Sequence, residues 1–221
     1  MTTPSTYNLL LNIPVFQGMG KFELQDIIAH SKLGFEKLEP GTVIQNVGDT
    51  CHRLCFLMNG TIAVTAWADD RSYAVTEDIG TPYIIEPERL YGIDNRCQRE
   101  VVTLTTCNVM SLDKTEVTKM LDKYAVFRLN LLNLISAHAQ RTAPERWQAA
   151  HADIQSRFKR FVAMRCTRAK GTKHLAIKRS QLVTELNMGL QNLTKALYNM
   201  QRQGLINIAR ASYDIPELDK L

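Results

Sequence analysis

The sequence predicts an α+β protein built in three parts, and three observations predict it. Short β-branched runs cut by turn residues fill the stretch before residue 113, apolar residues at heptad spacing follow it, and a basic last third holds two helices joined by a glycine-containing turn. The expected divisions are 1–113 for a β-rich part, 114–143 for one long helix and 144–221 for a basic helical part.

The β-rich part opens on a helix, because "FQGMGKFELQDIIAH" spaces its apolar residues helically. The runs that follow are punctuated by Pro40-Gly41, Gly48-Asp49 and Asn59-Gly60. Asn-Gly between two such runs predicts a hairpin, since both residues tolerate positive φ. Strands this short and this closely spaced suggest a small antiparallel barrel or sandwich.

Asp113 with Glu116 three residues on predicts a box-like helix start, and the helix continues to Pro144, which should end it. Along it Met120, Tyr124, Phe127, Leu131, Leu134 and His138 form a heptad seam that reads as a homodimer interface. A second stripe, Leu121, Leu132, Ile135 and Ala139, would then pack on the chain's own barrel. The bland alternative is a helix with two apolar faces buried within one chain.

From Trp147 the order is helix, loop, short strand, helix, helix, hairpin. "IQSRFKRFVAMRC" is amphipathic and basic, "AKGTKHLAI" runs into a strand, and "INIARASYDI" reads as a hairpin, which together is the layout of a winged helix. Ser180 is the expected N-cap of a helix through Leu186, Asn187 and Gly189 supply left-handed turn positions, and Gly204 closes a helix from about Leu190 to Gln203. At 100° per residue, Gln191, Asn192, Lys195, Tyr198, Asn199 and Arg202 share one face of that last helix, opposite Leu193, Ala196, Leu197 and Met200. Gln and Asn can make paired hydrogen bonds to adenine in the major groove, and Lys or Arg can reach guanine or phosphate. Lys178, Arg179, Ser180 and Arg210 would grip the phosphate backbone around the helix. Residues 145–221 hold 14 Lys/Arg against 6 Asp/Glu, whereas 1–144 hold 13 against 16, so the net +5 sits in the last third and favours a polyanionic partner, double-stranded DNA.

Composition narrows the rest. With 45% hydrophobic residues the chain can bury a core, and no segment nears the roughly 18 to 20 apolar residues of a membrane span, so the expected location is the cytoplasm, without a membrane. The five cysteines, Cys51, Cys55, Cys97, Cys107 and Cys166, are odd in number and scattered, which reads as reduced thiols. Cys51 and His52 are adjacent and would point to opposite faces of a strand, so they make a poor nucleophile and base, and no catalytic set stands out: the chain reads as no enzyme. No metal site is expected and no cofactor is assigned. A thiol or haem sensor whose helical part binds protein rather than DNA stands as the alternative.

With "IPVFQGMGKFELQDII", "PGTVIQNVGDTCHRLCFLMNGTIAV", the helix from Lys114 and "QLVTELNMGLQNLTKALYNMQRQGLI", the chain resembles the Crp-Fnr family of bacterial transcription regulators over nearly all its length. "YIIEPERLYGI" and "RLNLLNLIS" resemble the Bacteroidetes branch most. The resemblance implies a cyclic-nucleotide-binding-type β-roll, a dimerisation helix and a winged helix-turn-helix, with RNA polymerase and a small-molecule effector as further partners. It departs where the family reads guanine with arginine, for Gly189, Leu190 and Lys195 stand there. By the same resemblance Gly92, Arg96, Cys97 and Arg99 fall at the effector pocket, where Ile93 replaces the Glu that holds a ribose, so the residues speak against a cyclic nucleotide.

Overall fold

The computed structural model describes residues 6–142 and 153–221. The expected helix stop and boundary at Pro144, and the start at Trp147, lie outside the described residues. In chain order the elements are α1 (Thr6–Leu11), α2 (Lys21–His30), β1 (Gly34–Leu38), β2 (Val43–Gln45), β3 (Arg53–Asn59), β4 (Thr61–Trp67), β5 (Ala74–Gly80), β6 (Tyr83–Ile85), β7 (Arg99–Thr103), β8 (Cys107–Asp113), α3 (Lys114–Lys123), α4 (Ala125–Thr142), α5 (Ile154–Ala163), β9 (Lys173–Ala176), α6 (Arg179–Leu186), α7 (Leu190–Arg202), β10 (Asn207–Ala209) and β11 (Ser212–Ile215). The chain forms two compact units, one of Met1–Ile62, Ile79–Gln98 and Val102–Glu145, the other of Ala63–Asp78, Arg99–Val101 and Arg146–Leu221.

The first unit is built on the antiparallel sheet β1-β8-β3-β6, whose register sets Leu54 against Leu112 and Phe56 against Met110. These inward positions meet Phe16, Leu24, Ile27 and α4's Phe127, with the Phe16 ring 6.0 Å from Phe56 and 5.3 Å from Phe127. The Asn59-Gly60 turn forms, with Gly60 at φ +99°, but no hairpin follows from it. Both edges of β3 are taken by β8 and β6, so the chain uses the turn as a corner and enters β4, which pairs with β5 and β7. A turn signal fixes the bend and leaves the partner open.

The helix expected from Lys114 to 143 is two helices. Tyr124 between them has an extended backbone (φ −115°, ψ 105°), and its hydroxyl donates to Asp26 of α2, which Lys123 Nζ also reaches at 2.5 Å. Those two hydrogen bonds, Lys123 first, hold the Asp26 carboxyl down at about 2. The expected box at Asp113 does not form either: Asp113 makes no side-chain cap bond, and Glu116 accepts instead from Lys119 at 2.7 Å.

The break changes which stripe does what. Met120, Tyr124, Phe127 and Leu131 are buried in the core of their own chain, where Leu134 packs partly against them, and His138 Nε2 stands 3.5 Å from Glu88. Met120, Tyr124, Phe127 and Leu131 of the seam assigned to a partner are therefore packed inside their own chain. Leu132 of the second stripe is 53% exposed, together with Leu129 at 58%. Leu121 and Ile135 pack partly on the core, and Ala139 is exposed.

The second unit sets helices α5, α6 and α7 against the sheet order β10-β11-β9-β5-β4. Asp153 caps α5 by accepting from the Ser156 amide at 2.8 Å. The core is Phe158, Phe161, Leu182, Leu186, Leu193, Leu197 and Met200 from the helices, with Val75, Leu175 and Tyr213 from three adjacent strands. Among the described residues no helix is long and apolar enough to cross a membrane.

Candidate nucleic-acid interface

Helix α7 is amphipathic, and its packing settles which face is free. Leu193 and Leu197 are fully buried and Met200 nearly so, which turns Gln191, Asn192, Lys195, Asn199 and Arg202 outward, all exposed. From Leu186 to Tyr213 the sequence has three basic residues and no acid. Gly189 offers no side-chain cap to the first turn of α7, where the first backbone bond is the Leu193 amide donating to Gly189 O at 3.1 Å.

The turn before α7 works differently from expectation in one detail. Asn187 takes the left-handed position (φ 48°, ψ 61°), its amide donating to Thr184 O at 3.1 Å, while Gly189 is extended at φ −72°. One left-handed residue suffices to reverse the chain. Gly204, at φ +71°, ends α7 as the sequence indicates.

Around this face the proposed backbone grips divide. Lys178, not Ser180, is the cap residue of α6 and is exposed; Ser180 is the second helical residue, also exposed. Arg179 is half-buried: a hydrogen bond to Tyr213 first, and then the neighbouring Tyr198, hold its guanidinium further on the charged side, 6.0 Å over the Tyr198 ring. Arg210 is exposed at the tip of the β10–β11 hairpin.

Beneath the helices, Arg165 ties α5 to α6 and the β4–β5 hairpin. Its Nη2 donates to Tyr73 Oη at 2.7 Å and lies 3.4 Å from Glu185 Oε2, while its Nη1 donates to Phe161 O at 2.9 Å. On the outer face of the sheet, His174 Nδ1 stands 2.8 Å from Asp214 of β11 and Nε2 stands 3.4 Å from Asp78 of β5. Burial, the largest influence, pulls the imidazole down, but the two aspartates together outweigh it and hold the group above 6.5. A raised histidine stabilises fully below its unfolded value of 6.5 and loses that contribution as pH rises through the folded one. His174→Gln is therefore expected to lower the melting temperature more at about pH 5.5 than at about pH 8.5. The effect is small because His174 is 43% exposed, and equal losses at both pH values would refute the clamp.

The residues assigned to an effector pocket do not converge. Arg96 is exposed and donates to Gly48 O at 3.2 Å, Gly92 is exposed, and Arg99 donates to Arg165 O at 3.0 Å in the second unit. Cys97 alone of the four lines a pocket of about 270 Å³ in the first unit, together with Gln45, Asp49, Cys51, His52 and Cys55. Sequence reasoning missed the buried Glu86 beside it, a left-handed residue whose carboxylate accepts from Gln45 Nε2 at 2.6 Å and from the Gln98 amide at 3.2 Å. Burial, then Glu86, pushes the Cys97 thiol up to about 12; burial raises Cys51 as well, and lifts Cys55 to about 11. Thiols so raised are poor nucleophiles. Iodoacetamide at neutral pH is expected to leave Cys51, Cys55 and Cys97 unmodified in the folded protein and to alkylate them on denaturation, by mass spectrometry. Fast labelling of the native protein would contradict the assignment. Among the described residues no three His, Cys, Asp or Glu side chains are grouped to hold a metal.

No family model and no curated protein matches the sequence. Among solved structures the chain is similar to a catabolite activator protein of Thermus thermophilus, with TM-score 0.54, 12% identity, and 94% of this chain and 95% of that one covered. It is also similar to CLP, a c-di-GMP responsive global regulator of Xanthomonas campestris, with TM-score 0.49, 14% identity and coverage of 89% and 99%. The chain shares the fold of the first.

Proposed function

We propose that the chain is a homodimeric, sequence-specific DNA-binding transcription regulator of the Crp-Fnr type, cytoplasmic and not an enzyme. The observation that carries the reading is the exposed face of α7, where Gln191, Asn192, Lys195, Asn199 and Arg202 stand out while Leu193, Leu197 and Met200 hold the helix from behind. The α6–α7 pair with the β10–β11 hairpin serves as a winged helix-turn-helix, α7 entering the major groove and Lys178 and Arg210 meeting phosphates. The "YIIEPERLYGI" stretch favours the Bacteroidetes branch. The first unit senses an effector that is no cyclic nucleotide, and RNA polymerase is the partner at promoters. The dimer forms through the exposed Leu129 and Leu132 of α4, since Met120, Tyr124, Phe127 and Leu131 of the heptad seam are already buried.

Selection of duplexes from a random pool with the full chain tests this. Asn192→Ala is expected to lose about 1–3 kcal/mol of discrimination at one base pair. Lys178→Ala should weaken all duplexes alike and reduce the salt dependence by about one phosphate contact. Binding of every sequence with equal affinity, unchanged in both variants, would end the proposal.

A further inference from the structure

The side chain of Glu77 is 0% exposed and that of Lys173 is 1% exposed, and the two are register partners across β5 and β9. The carboxylate is saturated. Its Oε1 accepts from the Thr167 amide at 2.5 Å and the Thr167 hydroxyl at 2.8 Å, and its Oε2 accepts from the Arg168 amide at 3.0 Å and Lys173 Nζ at 3.0 Å. Arg99 Nη1 lies 3.8 Å from the same group, and Lys173 donates a second bond to Lys170 O at 2.9 Å.

A buried ion pair is weak evidence for stability, because desolvating two charges cancels most of their attraction. Its attested use is to fix one alignment against others. A one-residue slip of β9 along β5 would turn Lys173 to the opposite face and set Thr172 or His174 across from Glu77, leaving the carboxylate without its ammonium partner. From β9 the alignment passes on by register: Leu175 pairs with Tyr213 of β11, and β11 with β10 forms the hairpin that carries Arg210. Tyr213 in turn holds Arg179 at the start of α6.

We propose that Glu77 is a positioning residue for the nucleic-acid face: by fixing β9 on β5 through Lys173 it sets where the β10–β11 hairpin and the start of α6 stand. Glu77 lies far from that face in sequence, on a strand whose composition suggests the first part of the chain. The inference rests on the DNA-binding reading for its functional consequence and on the register alone for its structural one.

Two measurements on the full chain separate these. Glu77→Gln keeps the shape and strands the Lys173 charge; Glu77→Gln with Lys173→Met removes both charges. Hydrogen exchange without DNA is expected to speed up on the order of tenfold at the amides of β9 and β11 in Glu77→Gln, with α7 unchanged, and to recover in the double variant. The preference for the duplex selected by the wild type over a random one should fall on the order of tenfold and recover in parallel. If Glu77→Gln does not fold, Glu77→Asp, which keeps the charge and withdraws it by one methylene, is expected to show the same localised exchange at smaller amplitude. Unchanged exchange in β9 and β11, or acceleration spread evenly through α7, overturns the inference. A wild type that selects no duplex removes the DNA-binding reading, while the exchange pattern still decides the register.

Discussion

Phe127→Ala will destabilise the first unit by about 3–5 kcal/mol, the usual loss for a buried phenylalanine. Its ring is fully buried, 5.3 Å from Phe16, which in turn faces Phe56 on the sheet, so truncation opens a void at the joint between α4 and the sheet. Leu132→Asp, five residues on, will change monomer stability by less than about 1 kcal/mol, because that side chain meets solvent. The same substitution places a charge on the proposed dimer surface and is expected to yield monomers in sedimentation. A reversed outcome, with Leu132→Asp unfolding the chain and Phe127→Ala dissociating a dimer, would restore the heptad seam as the pairing face.

Gly60→Ala is expected to be nearly as damaging. A Cβ there would lie 2.6 Å from the Cys107 sulfur and 2.7 Å from the Thr106 carbonyl oxygen, and φ is +99°. Backbone strain and steric overlap together place the loss at about 2–6 kcal/mol. Gly41 is the control: its φ is +82° but nothing stands within 4 Å of an added Cβ, so Gly41→Ala should lose only the backbone contribution of about 1–3 kcal/mol. Equal chemical-denaturation midpoints for the two variants would show that the corner tolerates a side chain.

Those two positions also mark where sequence reading succeeds and stops. The candidate site was legible because α7 is long enough for a 3.6-residue period to declare both faces, so Leu193 and Leu197 identify Asn192 and Lys195 by exclusion. The β10–β11 hairpin was legible for a similar local reason, in that its turn and both strands lie within ten residues. The break at Tyr124 was not, for it involves no Gly or Pro and forms with Asp26, 98 residues away. At Asn59-Gly60 the bend was readable and the partner strands were not, since pairing depends on which edges of β3 are already occupied. Glu77 and Lys173 left a trace that went unused. Val75, Glu77 and Ile79 alternate inward, as do Lys173, Leu175 and Ile177, so a charge on the apolar face of each strand pointed to a partner on the other.

The division of the chain has a consequence for the order in which the protein is made. The β4–β5 hairpin leaves the ribosome with residues 63–78, yet the strand that covers it begins at Lys173, 96 residues after Glu77. At about 5–20 residues per second the acidic edge waits several seconds without its lysine. During that interval β5 is an uncovered strand edge carrying an ionised carboxylate, a charge that discourages strangers from docking there. The second unit can close only after Lys173 and the strands that follow it have emerged, so its assembly trails that of its own first hairpin.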